Sequence, residues 1–532
     1  MNAQSNGSLL LSVEDSRALD AAAQAEWGFN GFALIEAAGR LCAQALVEIH
    51  LELFKNRPMI TVAAGTGNNA ADAMVMLRYY ILSSLVDTDL SMIIVSRMPK
   101  EGDTGPWVEL LHSLRKMKVP VLTWDESTGS RGNSYLAHSD IIIDGIAGTG
   151  LTGALRGTAA EMVNALNSSE RPLVVSVDLP SGLSEQWEPG MPIVKADLTL
   201  AIEPQKYCLY NPAARPYAGK IVPVRGVFPK ELVASYGGNG GAELLEWESA
   251  CEKIPKIAPD AYKNERGTVE IRAGSPGATG AAVIAGRGAQ AAGAGLIRLV
   301  VDDGIYPIVA SRASSGIMVV PSGGAPVEAV EDVSAADAVL LGPGWGRTQS
   351  RAREFERALA LEKAGAPLVL DAEAIDLARG ILFSGNAILT PHPGEFSKFT
   401  GIDKEELLRR PAPILLDYSR KCNAVIVFKG HVITIAAPDG RVGVVDGMLP
   451  GLASGGSGDL LAGLTVAIAA RMARSNGDGI AGMARRSGFD AYTCAAAAAA
   501  LLIASGRRLK TRFTDSLEIA DKAADLAGEA WL

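Results

Sequence analysis

The sequence predicts an α/β protein of two domains, each built on a parallel sheet. The chain has 532 residues, more than one hydrophobic core usually fills. Apolar runs rich in β-branched residues alternate with amphipathic stretches along the chain, which is the βαβ pattern of a parallel sheet. The 58 glycines and the low aromatic content of 5% fit closely packed layers joined by many turns.

The overall composition excludes several classes of protein. A net charge of −9 and a pI near 5.3 argue against a nucleic-acid or membrane-surface partner. The five cysteines and five histidines are scattered without a CxxC pair, so neither a zinc site nor a disulfide framework is predicted. Residues 1–15 show no signal peptide, and the apolar run at 491–505 is too short for a membrane span and predicts a buried helix. We therefore expect a cytoplasmic protein that binds no nucleic acid and no membrane, and we expect a homo-oligomer.

The first half contains a series of candidate strands separated by helical stretches. Each strand is a short apolar run, and amphipathic segments at 107–117 and 159–167 predict helices between them. The predicted strands span residues 59–64, 91–96, 119–124, 140–145, 172–178, 197–202 and 220–224.

A glycine-rich stretch, SYGGNGGAE at 235–243, lacks hydrophobic periodicity and predicts a linker. We therefore place the boundary between residues 230 and 250, with one domain at 1–235 and the other at 245–532. Beyond the linker the alternation of strands and helices restarts. The predicted helices span residues 279–292, 350–364 and 459–472, and the predicted strands span 268–273, 296–301, 317–320, 337–341, 368–370, 387–390, 425–428 and 432–436.

The stretch GGSGDLLAGL at 455–464 carries the strongest chemical signal of the second half. Glycines before an apolar helix leave backbone N–H groups free to bind an anion at the helix N-terminus. Asp459, placed beside such an anion, is a candidate base for a hydroxyl that attacks or leaves a phosphoryl group. The alternative from these residues alone is a glycine turn with Asp459 as an ordinary N-cap.

Three further loops follow predicted strands directly: GPGWG at 342–346, TPHPGE at 390–395 and the Lys-Gly pair that begins at Lys429. Open parallel sheets bind ligands at the carboxyl ends of their strands, so these loops are candidate ligand contacts. His392, between two prolines, is either a ligand contact held at a fixed angle or a loop histidine in water. The lysine either reaches a phosphate or is a solvated strand-end residue. Asp371, in LDAEAID, is interpreted as a helix cap.

In the first half, GTGNNAADA at 65–73 follows an apolar run and precedes a helical stretch. It matches the G-x-G-x-x-A dinucleotide fingerprint, which requires an acidic residue about 20 positions further on. Asp87 and Asp89 are near that distance but precede the second strand. No GK[ST] follows, so a Walker loop is excluded, and a plain dehydrogenase is a weak interpretation.

Three residues with side-chain oxygens, Asn69, Asp144 and Ser181, lie at the ends of neighbouring predicted strands. A cluster of neutral and anionic oxygens without His or Cys suits a hard monovalent or divalent cation. Taken singly, each is more simply a cap or turn residue. Asp178 in VVSVDLPSGL and Lys206 in AIEPQKYCL come just past two strands and add a carboxylate and an amine.

Six segments of the second half occur in a characteristic order: KNERGTVEIRAGSPGATGAA, LLGPGWG, LDAEAID, LTPHPGEF, VFKG and GGSGDLLAG. In this order they resemble the ADP- or ATP-dependent NAD(P)H-hydrate dehydratase family, which has a ribokinase-like fold, over residues 250–532. The resemblance implies that ADP or ATP phosphorylates the hydroxyl of a hydrated nicotinamide ring so that it can leave, with Asp459 as base and Mg²⁺ as counterion. It implies contacts with the hydrated cofactor for Ala281, Gly344, His392 and Asp459, and with the adenine nucleotide for Lys429, Gly430, His431, Val432, Ile433 and Gly458.

The loops of the first half resemble those of the NAD(P)H-hydrate epimerase family, a Rossmann-like fold, over residues 10–228. That family interconverts the R and S hydrates, so that an S-specific dehydratase can consume both. The resemblance implies that Asp178 and Lys206 give acid/base help at C6 of the ring. It implies that the hydrate is bound by Asn68, Asn69, Asp72, Gly148, Thr149, Gly150, Gly153 and Asp178, and K⁺ by Asn69, Asp144 and Ser181.

Departures from the family patterns bear on both halves. The usual NNGGDG reads NNAADA, with alanines at Ala70 and Ala71, and the usual DADTG is replaced by SEQWEPG at 184–190. An alanine in place of a glycine that needs positive φ or a close backbone approach costs ~1 kcal/mol or more. In the second half LDAEAID replaces LDADALN, the Asn usual before GSGD is absent, and Ile433 stands where a threonine usually ends the lysine loop.

The sequence therefore predicts a bifunctional repair enzyme for hydrated NADH and NADPH. For the first half two interpretations stay open: an epimerase with a remodelled loop, or a domain that has lost catalysis and serves binding or oligomerisation. The alternative for the whole chain is a ribokinase-like small-molecule kinase with a non-catalytic nucleotide-binding or scaffold domain at its N-terminus.

Overall fold

The computed structural model describes residues 8–124, 129–169, 172–237, 241–323, 336–346, 349–475, 489–509 and 514–532. The chain divides into two compact units, Leu9–Gly241 and Ala242–Leu532, which we call the N-terminal and C-terminal units. Residues 238–240 of the stretch predicted as a linker lie outside the described residues.

The N-terminal unit is built on a parallel sheet. The strands of the unit are β1 (Ser8–Leu11), β2 (Ile60–Ala64), β3 (Ser91–Val95), β4 (Val121–Thr123), β5 (Ile141–Gly145), β6 (Leu173–Val177), β7 (Leu198–Ile202), β8 (Gln205–Lys206) and β9 (Lys220–Val224). Among the described residues the sheet has seven strands in the order β4-β3-β2-β5-β6-β7-β9, and all neighbours pair in parallel. The central strands are buried throughout, as expected for a parallel sheet covered on both faces. β1 pairs in parallel with β8 outside this sheet.

Two helices of the N-terminal unit, α1 and α2, begin at a capping side chain. Ser12 accepts a hydrogen bond from Asp15 N–H, and Asn30 accepts from Phe32 N–H, so each side chain satisfies a free N–H of a first helical turn. The helices are α1 (Val13–Ala25), α2 (Gly31–Ile49), α3 (Leu51–Lys55), α4 (Asn68–Leu82), α5 (Pro106–Lys116), α6 (Gly129–His138), α7 (Gly157–Asn167) and α8 (Lys230–Ser235).

The C-terminal unit has a longer, mixed sheet. Its strands are β10 (Ala242–Leu244), β11 (Thr268–Arg272), β12 (Leu296–Val301), β13 (Met318–Pro321), β14 (Ala338–Leu341), β15 (Leu368–Leu370), β16 (Ala387–Leu389), β17 (Val425–Phe428), β18 (Val432–Ala436) and β19 (Val442–Asp446). They are ordered β13-β12-β11-β14-β15-β16-β17-β18-β19-β10. All pairs are parallel except β17–β18 and β18–β19.

Helices of the C-terminal unit are α9 (Trp247–Cys251), α10 (Thr279–Ala291), α11 (Tyr306–Arg312), α12 (Gln349–Lys363), α13 (Glu373–Leu377), α14 (Pro393–Thr400), α15 (Lys404–Arg409), α16 (Pro411–Cys422), α17 (Ser457–Ser475), α18 (Ala491–Leu509) and α19 (Ser516–Trp531). The alanine-rich run predicted as a buried helix is confirmed as α18, and its alanines are almost fully buried. None of the helices in the described part of the chain combines the length and apolar character needed to cross a membrane.

The predicted α/β fold class is confirmed, and every predicted strand is present with ends that differ by at most two residues. The prediction of parallel pairing is wrong for β18, which runs antiparallel to both of its neighbours, β17 and β19. β18 and β19 form a hairpin. Its turn is closed by a hydrogen bond from Ala437 N–H to Arg441 O, and Gly440 takes a φ of +102°. The strands β1, β8, β10 and β19 were not predicted.

Candidate active sites

Four strand-end loops meet at one edge of the sheet in the C-terminal unit. β14, β15, β16 and β17 are parallel neighbours, so the loops that follow them lie side by side. These loops carry residues 342–346, Asp371, His392 and Lys429. A Cβ built on Gly458 would lie 3.2 Å from Lys429 Nζ, so the first turn of α17 lies against the same edge.

Glycines let the loop after β14 pack closely against its neighbours. Gly342 has a φ of +122°, and a Cβ there would lie 1.8 Å from Asp371 O. Gly344 has a φ of +55°, and a Cβ there would lie 2.7 Å from Ala281 Cβ at the start of α10. Neither position accommodates a side chain, and two predicted hydrate contacts, Gly344 and Ala281, therefore lie together.

Close packing sets the position of the N-terminus of α17. A Cβ on Gly463 would lie 2.1 Å from Ala285 O, so α17 and α10 approach at backbone distance. Gly456 has a φ of +91° in the turn before α17. Ser516 Oγ, at the start of α19, donates to Gly455 O at 2.9 Å. The N-terminal end of α17 is thus held by another helix on one side and by a hydrogen bond before its first turn.

A buried charge cluster lies beside this helix end. Lys429 Nζ donates to Asp371 Oδ1 at 2.5 Å and lies 3.8 Å from Glu395 Oε2. Burial lowers the pKa of Lys429, but the charges of Asp371 and Glu395 outweigh it and raise that pKa overall. Thr390 Oγ1 also donates to Asp371 Oδ1, at 2.8 Å. The interpretation of Asp371 as a helix cap is therefore wrong. Its carboxylate accepts a hydrogen bond from Lys429, and the N-cap position of α13 is Ala372, which makes no side-chain cap.

Asp459 is the third residue of α17 and not its N-cap. Its side chain is half-buried, and burial together with the negative charge of Asp371 raises the pKa of Asp459 to about 7. Lys429 opposes this shift, while Glu373 and Glu395 add to it. A carboxylate with a pKa near neutrality can take a proton from a hydroxyl group far better than an ordinary aspartate.

His392 is oriented by a capping box as well as by its flanking prolines. Its Nδ1 accepts hydrogen bonds from Gly394 N–H at 3.0 Å and Glu395 N–H at 3.2 Å, and Glu395 Oε2 accepts from His392 N–H at 2.8 Å. The ring proton is therefore on Nε2, which lies 3.3 Å from Glu395 Oε1. The side chain is 55% exposed and lines the pocket described next.

An apolar pocket of about 450 Å³ adjoins Lys429 and the start of α17. Its lining includes five of the six predicted nucleotide contacts: Lys429, Gly430, His431, Ile433 and Gly458. Val432 does not line it, because side chains alternate along β18 and Val432 is buried in the sheet. The wall opposite the polar residues is formed by leucines and an isoleucine: Leu449, Leu452, Leu461, Leu502 and Ile503.

Sequence reasoning missed Glu373, Glu395 and the strained residue Ala372. Ala372 has φ +46° and ψ −125°, a conformation that costs an L-residue ~1–3 kcal/mol and is concentrated at functional sites. Glu373 Oε2 is buried without a hydrogen-bond partner. The signal was present in LDAEAID, where Glu373 stands at the position that the resembled family fills with aspartate.

In the N-terminal unit the three predicted cation ligands are brought together around Ala147. Ser181 Oγ accepts from Ala147 N–H at 2.8 Å and lies 2.9 Å from Ala147 O. Asn69 Nδ2 donates to the same carbonyl oxygen at 3.2 Å. Ser181 Oγ also donates to Asp144 Oδ1 at 2.5 Å. Ala147, Ser181 and Asp144 thus contribute oxygen atoms, and Asn69 its amide group, to one small volume at the ends of β2, β5 and β6.

Asp144 is fully buried and well supplied with donors. Its carboxylate also accepts from Ser176 Oγ at 2.7 Å, Ser181 N–H at 2.9 Å and Ile146 N–H at 3.3 Å. Burial raises the pKa of Asp144, and the hydrogen bonds from Ser181 and Ser176 counter that shift. The carboxylate therefore orients the serine hydroxyls next to the oxygen cluster.

Asp178 and Lys206 form a buried ion pair beside this cluster. Lys206 Nζ donates to Asp178 Oδ1 at 2.6 Å and to Ile202 O at 3.1 Å. Asp178 Oδ1 also accepts from Ile202 N–H at 3.1 Å. Asp178 has a φ of +62°, so backbone strain turns the residue at the strand end. The arrangement places an ammonium–carboxylate pair in a buried environment.

A cavity of about 580 Å³ lies over these groups. The predicted residues that line it are Asn68, Asn69, Asp72, Gly148, Thr149, Gly150, Asp178 and Lys206. Gly153 does not line it, and a Cβ built there would meet nothing within 4 Å. Ser16, Arg17 and Asp20 of α1 also line it and were not predicted, because α1 is remote in sequence from the strand-end loops.

Ala70 and Ala71 do not occupy a loop that requires glycine. Both lie inside α4 without positive φ, both are fully buried, and neither lines the cavity. The close backbone approach falls on Gly145 instead, where a Cβ would lie 2.8 Å from Asn69 O. The expected backbone cost of the two alanines is therefore not found, because the helix begins at Asn68 and its geometry suits alanine.

The fold and the two sheet-edge clusters are those expected of an α/β enzyme, with one candidate active site in each unit. A family model described as NAD(P)H-hydrate dehydratase matches residues 269–523, and one described as YjeF-related protein N-terminus matches residues 31–208. The bifunctional NAD(P)H-hydrate repair enzyme Nnr of Gloeobacter violaceus is 31% identical, with 82% of this chain and 84% of that protein covered. The chain belongs to the bifunctional NAD(P)H-hydrate repair enzyme family.

Two further proteins are similar to this chain. The enzyme of the same name from Moorella thermoacetica is 28% identical, over 86% of this chain and 88% of that protein. The crystal structure of the ADP/ATP-dependent NAD(P)H-hydrate dehydratase from Bacillus subtilis, co-crystallised with ATP and Mg²⁺, is 24% identical. It covers 54% of this chain and 99% of its own, with a TM-score of 0.45.

Proposed function

We propose that this chain repairs hydrated NADH and NADPH in two steps. The C-terminal unit dehydrates the S hydrate with ADP or ATP, and the N-terminal unit interconverts the R and S hydrates. The observation that carries the proposal is Asp459, a carboxylate with a pKa of about 7 at the N-terminus of α17, beside a 450 Å³ apolar pocket.

The residues of the C-terminal site suit phosphoryl transfer to a hydroxyl. Asp459 takes the proton of the ring hydroxyl, and the free N–H groups at the start of α17 stabilise the transferred phosphoryl group. Lys429 adds a positive charge at the same place, provided that it leaves Asp371 for the nucleotide. Loss of the resulting phosphate, driven by the electron pair of the ring nitrogen, restores the dihydronicotinamide.

The adenine base fits the apolar wall of the 450 Å³ pocket, with its phosphates toward Gly458. Within the described residues no group of three or more His, Cys, Asp or Glu is arranged to hold a metal ion. Mg²⁺ typically binds one or two carboxylates plus the phosphates of a nucleotide. Glu373 Oε2, buried without a donor, is the carboxylate oxygen in this part of the chain that fits such a role. When bound, Mg²⁺ neutralises charge that develops on the phosphates.

The oxygen cluster of the N-terminal unit fits K⁺. Asn69, Ala147, Ser181 and Asp144 supply amide, carbonyl, hydroxyl and carboxylate oxygens, which suit a hard cation. A turn of the Asn69 amide would place its oxygen where its nitrogen now meets Ala147 O. K⁺ would fix the loop at 146–150 and, with it, one wall of the cavity.

The test is incubation of the purified protein with S-hydrate of NADH, ADP and Mg²⁺, with the return of dihydronicotinamide absorbance as the readout. Asp459→Asn should lower the rate by ~100-fold or more, the usual contribution of a general base. Calorimetry should show that the variant still binds ADP. Asp525→Asn, an exposed helix carboxylate paired with Lys522, is the matched control and should keep the wild-type rate.

Two results would contradict the proposal. If wild-type protein returns no absorbance and transfers phosphate to a stable alcohol instead, the chain is a small-molecule kinase. If Asp459→Asn keeps the wild-type rate, another group is the base.

A further inference from the structure

Asp72, in the N-terminal cavity, differs from the nearby carboxylates of Asp178 and Asp144 in its supply of hydrogen-bond donors. It lies in the first turns of α4, is only 7% exposed and lines the 580 Å³ cavity. Its Oδ1 is buried without a hydrogen-bond partner. Asp178, in the same cavity, receives an ammonium and a backbone N–H, and Asp144 receives hydroxyl and N–H donors. A buried carboxylate oxygen that lacks a donor is stable only when the group carries a proton.

The titratable groups that face Asp72 from the surrounding elements also favour its protonated form. Asp178 and Lys206 face it from the strand ends, Asp20 from α1 and Cys42 from α2. Burial raises the pKa of Asp72 well above its usual value, and the charge of Asp178 raises it further. Lys206 opposes the shift, but its ammonium is already bonded to Asp178. The pKa of the Cys42 thiol is also raised by burial, so Cys42 adds no charge at neutral pH.

Two carboxyl groups of the cavity thus have contrasting surroundings. Asp178 is hydrogen-bonded to the Lys206 ammonium and to Ile202 N–H, whereas Asp72 is buried with one oxygen that lacks a donor, which favours its protonated form. Pairs of titratable groups whose environments push their protonation apart are typical of an acid and a base that act on one substrate.

We propose that Asp72 is the proton donor of hydrate epimerisation, acting on the C6 hydroxyl of the hydrated ring. This inference rests on the epimerase activity proposed above for the N-terminal unit. The C6–O bond breaks as the Asp72 proton moves to the departing oxygen and forms water. The lone pair of the ring nitrogen forms an N1–C6 double bond at the same time, which leaves a planar iminium ion.

The reverse addition completes the inversion without any external oxidant or reductant. A water oxygen forms a new C6–O bond on the other face, and the double-bond electron pair returns to the ring nitrogen. Asp178, which accepts hydrogen bonds from Lys206 Nζ and Ile202 N–H, takes the proton of this water. Return of that proton to Asp72 restores the starting state, so atoms and charge balance over the cycle.

The experiment uses the full-length protein with pure R-hydrate of NADH and K⁺, without ADP so that the C-terminal site is silent. The appearance of S-hydrate is followed by chromatography and corrected for the spontaneous rate. Asp72→Asn keeps the shape of the side chain but has no carboxyl proton to donate, and it should lower the enzymatic rate by ~100-fold or more. Its KM should stay close to that of the wild type. Asp89→Asn, an exposed carboxylate of the same unit outside the cavity, should match the wild type.

A pH profile separates proton donation from a structural role. The wild-type rate should fall as pH rises through the pKa of Asp72, and this limb should be absent from the residual rate of Asp72→Asn. Asp72→Ala should show the same loss. Thermal unfolding and ADP-driven dehydration of S-hydrate should be unchanged in both variants, which shows that they are folded.

Two failures can be told apart. Wild-type protein that does not accelerate R-to-S conversion overturns the epimerase assignment and this inference with it. Active wild-type protein with an Asp72→Asn rate within about threefold of it, or with the same pH profile in both, overturns only the role of Asp72.

Discussion

At the scale of single residues, the chemistry of the C-terminal site depends on how charges are shared around Asp459. Lys429 Nζ donates a hydrogen bond to Asp371 Oδ1 at 2.5 Å, so its positive charge acts more strongly on Asp371 than on Asp459. Asp459 is left half-buried among Asp371, Glu373 and Glu395, and its pKa rises to about 7. An aspartate with its ordinary pKa would be a hundredfold or more weaker as a base, since each pKa unit corresponds to about 1.4 kcal/mol.

The pKa of Asp459 predicts the pH dependence of dehydration. The base must be ionised, so kcat/KM should rise with pH below about 7 and level off above it. The measurement is kcat/KM for S-hydrate between about pH 5.5 and 9 with saturating ADP. Asp371→Asn removes the second largest cause of the shift and should move the midpoint to lower pH. A flat profile, or a midpoint that ignores this substitution, would contradict the assignment.

At the scale of elements, the position of helix α4 determines how the alanines of NNAADA affect stability and the cavity. The helix starts at Asn68, so Ala70 and Ala71 are helical residues whose methyl groups lie in the core of the N-terminal unit. Alanine favours a helix by ~1 kcal/mol over glycine, and a buried methyl group adds ~0.8 kcal/mol. These alanines therefore stabilise the element that carries Asn69 and Asp72 into the cavity.

Ala70→Gly and Ala71→Gly should each lower the free energy of unfolding of the N-terminal unit by about 1–2 kcal/mol. Neither should raise the epimerisation rate, because neither alanine lines the cavity. Denaturant unfolding and the R-hydrate assay check the two statements. Ala21→Gly, at an exposed position of α1, isolates helix propensity from methyl burial and should cost about 1 kcal/mol. A faster and equally stable double glycine variant would show that the alanines obstruct the site.

The strands and helices were easier to predict from the sequence than the hydrogen-bond partners of the side chains that they carry. Buried runs such as β14 and β17 are continuous apolar segments, so their ends could be located from the letters alone to within a residue. The strand-end positions of Asp178, Lys206 and Lys429 followed from the same pattern. The isolation of Asp72 Oδ1 and the bond from Lys429 to Asp371 could not be predicted, because they depend on which groups tertiary packing brings near. The sequence analysis expected Ala70 and Ala71 to occupy a loop that needs glycine, because a motif does not show where a helix begins. In the structure both residues lie inside α4.

At the scale of the whole molecule, each cavity is lined by residues of one unit. The 580 Å³ cavity is lined by residues between Ser16 and Phe228, and the 450 Å³ pocket by residues between His392 and Ile503. Each of the two reactions therefore has its groups within one compact unit, and S-hydrate made in one unit can be consumed by a different molecule.

Excess Asp459→Asn protein should accelerate the repair of R-hydrate by a small amount of wild-type protein when epimerisation limits the rate. The variant keeps its N-terminal site and releases S-hydrate, which the wild type then dehydrates. Recovery of dihydronicotinamide absorbance with ADP and Mg²⁺ is the measurement. The same excess of an Asp459→Asn, Asp178→Asn double variant is the control and should give no acceleration. Slower repair with the single variant would mean that the hydrate stays with the chain that epimerised it.

The hydrogen bond from Ser516 to Gly455 also has a consequence for the order of synthesis. When the ribosome has made α17, Asp459 and every strand of the C-terminal sheet are already present, but the carbonyl of Gly455 still lacks its partner. That partner arrives only with α19, because Ser516 follows Gly455 by 61 residues. A chain that is synthesised only as far as α17 therefore has Asp459 without the hydrogen bond that fixes the turn in front of it.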